Sequence, residues 1–246
     1  MTIPARRAGG RETRSRRTAA ISVCLVLFSL AQGALAGDAT VKPAASDPPP
    51  QTGSRTEPAD PDATLIRMRM LWQERKWKEL IEQYAKDDFA KWPADVPLKA
   101  AEAFHLRGQV SAILKDGKQA EADLQAALKL TPRNAAFWLT LADNYTTNLN
   151  DDERALAAYR ESIAITGRGN GWQPLTATIA IARLLTDQVR TDAALAELKT
   201  YGDMQGMAPG WRMRMLRAYG HVYAPQGKEQ ESLASFREAL ELESQQ

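Results

Sequence analysis

The sequence predicts an all-α protein made of about four to five antiparallel helix pairs. A proline stands before each apparent pair, and these prolines are 36, 35, 42 and 35 residues apart: Pro61, Pro97, Pro132, Pro174 and Pro209. Proline is tolerated in the first turn of a helix and disfavours helix in the residue before it, so this punctuation is physically sensible. Small, apolar and aromatic residues also recur at fixed distances after each proline, which indicates a repeated structural unit with one insertion.

The clearest unit runs from Ala101 to Pro132. With Ala101 as position 1, seven residues fall at positions 4, 8, 11, 20, 24, 27 and 32: Phe104, Gly108, Ser111, Ala120, Leu124, Ala127 and Pro132. This pattern resembles the tetratricopeptide repeat (TPR), a 34-residue helix–turn–helix unit. The resemblance implies a TPR-like right-handed superhelix whose concave groove is lined by the first helix of each pair.

The other units follow the same numbering with small departures. The pair from Ala63 to Asp88 is degenerate, with Met68 at position 8, and we interpret it as an N-terminal cap. The unit from Ala135 to Gly167 matches well, but one extra residue in Asn148 to Glu153 shifts its second half, and we expect a longer turn there. A weaker unit begins at Leu175, and the last unit ends in residues 228–246, which we interpret as a C-terminal cap. The predicted repeat domain covers residues 62–246.

Position 8 is occupied by a small residue in four of these units: Gly108, Ala142, Ala182 and Gly220. The two helices of a pair approach most closely at this position, where a large side chain would force them apart. The sequence therefore predicts tight helix–helix contacts at these four residues.

Residues 1–36 are predicted to be a signal peptide. Six arginines precede an uncharged apolar run, and Ala34-Leu35-Ala36 offers a small-residue cleavage site before Gly37. We expect cleavage after Ala36 and export, to the periplasm or beyond if the source is bacterial. The alternative is an uncleaved membrane anchor, which would make the membrane a partner.

Residues 37–61 are predicted to be a disordered, proline-rich linker because they carry almost no large apolar side chain. Removing residues 1–36 leaves 26 basic and 29 acidic residues, since six arginines and Glu12 are lost. The remaining chain is mildly acidic, so its charge does not favour nucleic acid as a partner. It also contains no cysteine, because Cys24 lies in the signal.

Catalytic and metal-binding patterns are not found in the sequence. His105 and His221 lie more than two repeats apart, and neither has a ligand at metal-binding spacing. The glycine-rich segment Gly167 to Trp172 lacks the residues of a phosphate loop. We interpret it as an insertion whose Trp172 packs against the array, and we interpret Asp151 or Asp152 as a helix cap. We therefore expect no enzyme activity, no cofactor and no metal.

The predicted binding surface is the groove formed by positions 2, 5, 9 and 12 of the first helices, which share a helix face. The candidate partner-binding residues are Gln109, Asp143, Arg183, Arg214, Arg217 and His221. The arginines suit an acidic protein segment or a C-terminal carboxylate, since guanidinium groups form paired hydrogen bonds with carboxylates. The alternative is that these charges are solvated and neutralised by nearby glutamates.

The resemblance implies a non-enzymatic protein–protein interaction scaffold or adaptor, which the export signal would place outside the cytoplasm. Two alternatives remain open at this point. One is a membrane-tethered assembly factor of an envelope complex, and the other is a carbohydrate-binding or cell-wall-binding accessory protein. Few aromatic residues fall at groove positions, which disfavours the latter.

Overall fold

The computed structural model describes residues 60–168, 171–202 and 204–245, without the side chain of Gln205. These belong to one compact unit, residues 53–246, whereas a second unit, residues 1–52, lies outside the described residues. The predicted signal peptide and nearly all of the predicted linker therefore also lie outside them.

The described residues form ten α-helices and no β-strand. The helices are α1 (Pro61–Gln73), α2 (Trp77–Tyr84), α3 (Pro97–Ile113), α4 (Gly117–Leu130), α5 (Ala135–Asn144), α6 (Asp152–Thr166), α7 (Trp172–Asp187), α8 (Thr191–Lys199), α9 (Pro209–Tyr223) and α10 (Glu229–Ser244). They associate as five successive pairs, each consisting of a first helix and a second helix. The predicted all-α array of about four to five antiparallel pairs is confirmed.

Helix starts agree with the proline and capping signals in the sequence. Proline occupies the first turn of α1, α3 and α9. Asp151 caps α6, because its carboxylate accepts a hydrogen bond of 2.9 Å from the backbone N–H of Arg154. The predicted cap is thus confirmed and is Asp151, whereas Asp152 is the first residue of the helix.

The turn inside each pair has one residue in the left-handed backbone region. These residues are Arg75, Lys115, Asn150, Val189 and Gly227, with φ between 52° and 70°. Only the last is glycine, the residue that adopts this conformation without a steric penalty. All five pairs therefore reverse direction through the same local geometry despite having different turn sequences.

The extra residue of the third pair lies in a π-turn rather than in the connecting loop. Residues Tyr145–Leu149 continue α5 as a single π-helical segment, which is how a helix accommodates one inserted residue. The expectation that the insertion lengthens the loop was wrong in this respect. The amide of Asn148 holds the segment by donating to the backbone oxygen of Ala112 at 3.1 Å and to the Asn144 side chain at 2.9 Å.

Close helix contacts occur where the small residues predict them. A Cβ atom on Gly108 would lie 3.0 Å from Cγ of Leu124, and one on Gly220 would lie 2.7 Å from the ring of Phe236. Real Cβ atoms do not approach other atoms as closely as the second distance. Met68 is fully buried at the same position of the first pair, so that pair accommodates a larger residue.

The core is continuous along the array, and Trp172 packs against it as predicted. Much of the buried surface comes from leucine and alanine, with fully buried Phe89 lying in the connection between the first two pairs. In the part of the chain that the structure describes, no helix combines the length and the apolar character needed to cross a bilayer.

The buried guanidinium of Arg107 links the first pair of helices to the second. Arg107 of α3 forms two hydrogen bonds with the carboxylate of Asp123 on α4, at 2.7 and 2.9 Å, and both side chains are at most 6% exposed. The same guanidinium donates to the backbone oxygens of Tyr84 and Asp87 at 2.6 and 2.7 Å. It also lies 4.7 Å from the ring centroid of Phe89.

Replacing Asp123 with alanine is expected to lower the free energy of unfolding by about 3–5 kcal/mol, because Arg107 would stay buried without its counter-ion. Urea unfolding of the full chain, followed by circular dichroism, measures this effect. Glu102→Gln is the control, since it alters an ion pair with Arg69 that is largely exposed to solvent. Equal stability of the two variants would contradict the structural importance of the buried pair.

Candidate functional site: the concave face of the first helices

The first helices line the inner side of the array. Successive first helices, α1, α3, α5, α7 and α9, contact one another along the whole series. Each second helix contacts its own first helix and the first helix of the next pair, whereas successive second helices lie farther apart. Because the inner side of a curved stack is the side on which neighbours are closer, the concave face consists of first-helix side chains.

Ion pairs connect the first helices at the N-terminal end of this face. Arg69 of α1 forms a two-pronged contact with Glu102 of α3, with distances of 2.7 and 2.6 Å. Lys99 lies 2.7 Å from Asp62. All four side chains are at least one-third exposed, so these pairs contribute little stability but cancel one another's charge.

His105 forms the contact between α3 and α5. Its ring stacks on Phe137 with centroids 4.2 Å apart, and its Nε2 lies 3.0 Å from Oγ1 of Thr140. Burial lowers the pKa of His105 from 6.5 to about 3. The imidazole is therefore neutral near pH 7 and acts as a packing group between two helices.

Asp143 lies at the middle of the concave face and is oriented by a tyrosine. The hydroxyl of Tyr159, which comes from α6 behind the face, donates to Oδ1 of Asp143 at 2.5 Å. Tyr159 is only 2% exposed, and burial is the main reason why its pKa is well above 10, with the Asp143 charge adding to the effect. The Asp143 side chain itself reaches solvent.

The pKa of the Asp143 carboxyl is raised, chiefly because protein surrounds it on the concave side. The Tyr159 hydrogen bond and the positive charge of Arg183 on α7 oppose this rise. The Asp143 side chain is thus partly in contact with water and partly surrounded by protein, as expected for a residue in a groove. Arg183 makes no ion pair within 4 Å among the described residues, and its side chain is exposed.

The predicted basic residues of the last pair are not equivalent. Arg214 reaches back to α7 and donates to Oγ1 of Thr176 at 3.1 Å. Arg217 instead pairs with Glu243 of α10 at 2.7 Å. The ring of His221 meets the ring of Phe236, also on α10, edge to face with centroids 5.1 Å apart.

The six predicted binding residues therefore do not form a single cluster. Gln109 is half-buried on α3, one turn after His105. Asp143 and Arg183 interact electrostatically, and Arg214 lies at the junction of the next two first helices. Arg217 and His221 contact the last helix of the array.

Sequence reasoning missed Tyr159 because its register position suggested only a core residue. The signal that could have revealed it is the hydroxyl, since a fully buried tyrosine usually hydrogen-bonds to a polar partner. Within the described residues, no group of three or more histidine, cysteine, aspartate or glutamate side chains is arranged to hold a metal ion.

Comparison with known proteins agrees with this architecture. The family model described as "Tetratricopeptide repeat" matches residues 215–246. No curated protein sequence matches the chain. Residues 215–246 therefore match a tetratricopeptide repeat, which confirms the resemblance noted in the sequence.

Solved structures with the same fold have low sequence identity. The crystal structure of MamA is 16% identical over 72% of this chain and 95% of its own, with a TM-score of 0.56. The kinesin light chain-like repeats of Podosopora anserina are 15% identical over 75% of this chain and 95% of theirs, with a TM-score of 0.61. YrrB, described as a TPR protein with an unusual peptide-binding site, is 16% identical over 74% and 86%, with a TM-score of 0.52. These matches confirm the superhelical TPR-like fold.

The lowered pKa of His105 predicts a loss of stability in acid. The unfolded chain binds a proton near pH 6.5, whereas the folded chain resists protonation down to about pH 3. Above about pH 6.5 the imidazole is neutral in both the folded and the unfolded chain. Below that value the unfolded chain binds the proton more readily, so the free energy of unfolding falls as the pH drops. His105→Gln should weaken the loss of unfolding free energy between about pH 7 and pH 4.5, as measured by urea titration.

Gln109→Asn is the matched control, because it changes a neutral side chain one turn away on the same helix face. It should retain the pH dependence of the unmodified chain. A His105→Gln variant with that same dependence would show that burial of this imidazole does not govern the acid response.

Proposed function

We propose that this chain is a non-enzymatic protein-interaction scaffold or adaptor that acts outside the cytoplasm. Its concave face binds an extended protein segment that carries carboxylate groups. The fold supports the general role, because stacked helix pairs present a long inner surface to a partner. The charges on that surface support the acidic character of the segment.

The observation that carries this proposal is the contrast among the arginines of the first helices. Arg69, Arg212 and Arg217 each form an ion pair with a glutamate, and Arg107 is buried with Asp123. Arg183 and Arg214 make no ion pair within 4 Å in the part of the chain that the structure describes. A guanidinium in this situation can bind a carboxylate without first breaking an ion pair.

The positions of these two arginines define a path along the groove. Arg183 lies on α7 and Arg214 on α9, and Arg214 donates a hydrogen bond to Thr176, which lies about two turns before Arg183 on α7. Asp143 then limits the path on the α5 side, because its carboxylate repels acidic residues when ionised. An acidic segment is therefore expected over the fourth and fifth pairs, with neutral residues over the third.

Binding is expected to weaken at least tenfold when Arg183 and Arg214 are both replaced by glutamine, because two charge-assisted contacts are lost. The measurement is fluorescence anisotropy of labelled peptides with acidic C-termini, alongside the same peptides with amidated, uncharged ends. Cross-linking pull-downs from cell envelopes with the same variants would identify the natural partner.

Arg160→Gln is the matched control, because Arg160 is an exposed arginine on second helix α6. It should bind the peptides as the unmodified chain does. Equal binding by the double variant and the control would place the partner on another surface.

Export is the second part of the proposal, and it is supported by the arginine-rich start, the apolar run and the Ala34-Leu35-Ala36 site. Mass spectrometry of the chain recovered from cell fractions should give a mature N-terminus at Gly37, in the soluble extracytoplasmic fraction. An intact N-terminus in the membrane fraction would instead favour the membrane-tethered assembly factor.

A further inference from the structure

The outer face of the last helix carries two exposed leucines at positions where leucine and isoleucine are buried in pairs two to four. In pairs two to four, leucine or isoleucine at repeat positions 21 and 28 is at most 8% exposed: Leu128, Leu156, Ile163 and Leu195. In α10 the equivalent residues are Leu233 and Leu240, which are 53% and 59% exposed. No helix pair follows α10 among the described residues, so none of these residues covers the two leucines.

The outer face of the first helix shows the reverse situation. At repeat positions 3 and 10, the first helices of pairs two to five are at most 8% exposed: Ala103, Val110, Phe137, Asn144, Ala177, Leu184, Met215 and Val222. The equivalent residues of α1 are Ala63, which is exposed, and Met70, which is 46% exposed. Between them lies Ile66 at position 6, which is 58% exposed.

These two exposed stripes are the two sides of the interface that joins neighbouring pairs inside the array. Each second helix contacts the first helix of the following pair, from α2 against α3 to α8 against α9. Among the residues that the structure describes, no first helix follows the C-terminal stripe of Leu233 and Leu240. Within the same residues, no second helix precedes the N-terminal stripe of Ala63, Ile66 and Met70.

The charges at the two ends also have opposite signs. Helix α10 contains five glutamates and one arginine, a formal charge of −4. Helix α1 contains two arginines and one aspartate, a formal charge of +1. The two ends therefore attract each other, whereas two like ends repel.

We propose that a second copy of this chain stacks end to end on the first, with the N-terminal stripe of one copy against the C-terminal stripe of the other. The contact repeats the geometry that joins consecutive pairs within the chain. It is a heterologous interface, since each copy contributes a different surface. Such contacts leave one free stripe at each end, so assembly can continue beyond two copies.

The test uses the full chain and two variants, each blocked at one end. Leu233→Glu with Leu240→Glu blocks the C-terminal stripe, and Ile66→Glu with Met70→Glu blocks the N-terminal stripe. The average mass of the unmodified chain, measured by sedimentation equilibrium, should rise with concentration above that of one copy. Each blocked variant alone should remain monomeric, because it retains only one half of the interface.

An equimolar mixture of the two variants should form a complex of two copies and nothing larger, because one free stripe of each kind remains. Leu98→Glu is the matched control, since Leu98 is 71% exposed at the start of an internal helix. It should associate as the unmodified chain does. Circular dichroism of every variant shows that the helices are intact.

Three results would overturn the proposal. One is a monomeric unmodified chain at all concentrations, as expected if the chain's own N-terminal residues or a different protein cover α1. Another is self-association of either blocked variant, which would indicate contact between like ends. The third is a mixture of the two variants that stays monomeric while the unmodified chain associates.

Discussion

Stacking of each helix pair on the next is the constraint on which the rest of this structure depends. In four of the five described pairs, the two helices pack closely at a glycine or alanine, as Gly108 does against Leu124. That contact leaves further apolar stripes on both helices, and only a neighbouring pair can cover them. The stability of such an array is approximately a sum over pairs and their junctions, so the terminal pairs are held by one junction instead of two.

The N-terminal pair compensates for this with a specific polar contact. Helix α2 has only eight residues, and the connection to α3 includes an irregular stretch around Phe89. Arg107 binds the carbonyl groups at the end of α2 while Asp123 balances its charge. These hydrogen bonds are directional, so they constrain the orientation of the first pair relative to the second.

Much of the fold could be predicted from the sequence because it depends on local and periodic signals. The proline spacing and the small residues at position 8 recur with the repeat period, Asp151 caps the helix that begins at the next residue, and Trp172 is the one large apolar side chain of the segment Gly167 to Trp172. Arg107 and Asp123 could not be predicted in the same way, because two charged residues on different helices usually lie at the surface. Their pairing is visible only once the distance between the helices is known.

The features of the candidate site also fall into those that the sequence predicts and those that it does not. Register alone placed Asp143, Arg183 and Arg214 on the first helices, since positions three or four residues apart share a face. It could not show that Glu243 pairs with Arg217, because that contact joins residues 26 positions apart on two helices. Nor could it show that Tyr159 reaches Asp143 from a second helix, since a tyrosine in the core and one that orients a carboxylate occupy the same repeat position.

The π-turn at Tyr145–Leu149 bears on how repeat arrays change length during evolution. A single inserted residue in a loop leaves the helices unchanged, whereas one inserted in the middle of a helix rotates everything after it by about 100°. Here the insertion lies after Asp143 and Asn144, so residues earlier in α5 keep their orientation. The side-chain amide of Asn148 holds the segment that contains the extra residue before α6 begins. A binding surface on first helices can therefore survive insertions and deletions in its repeats, provided that they occur in the final turn.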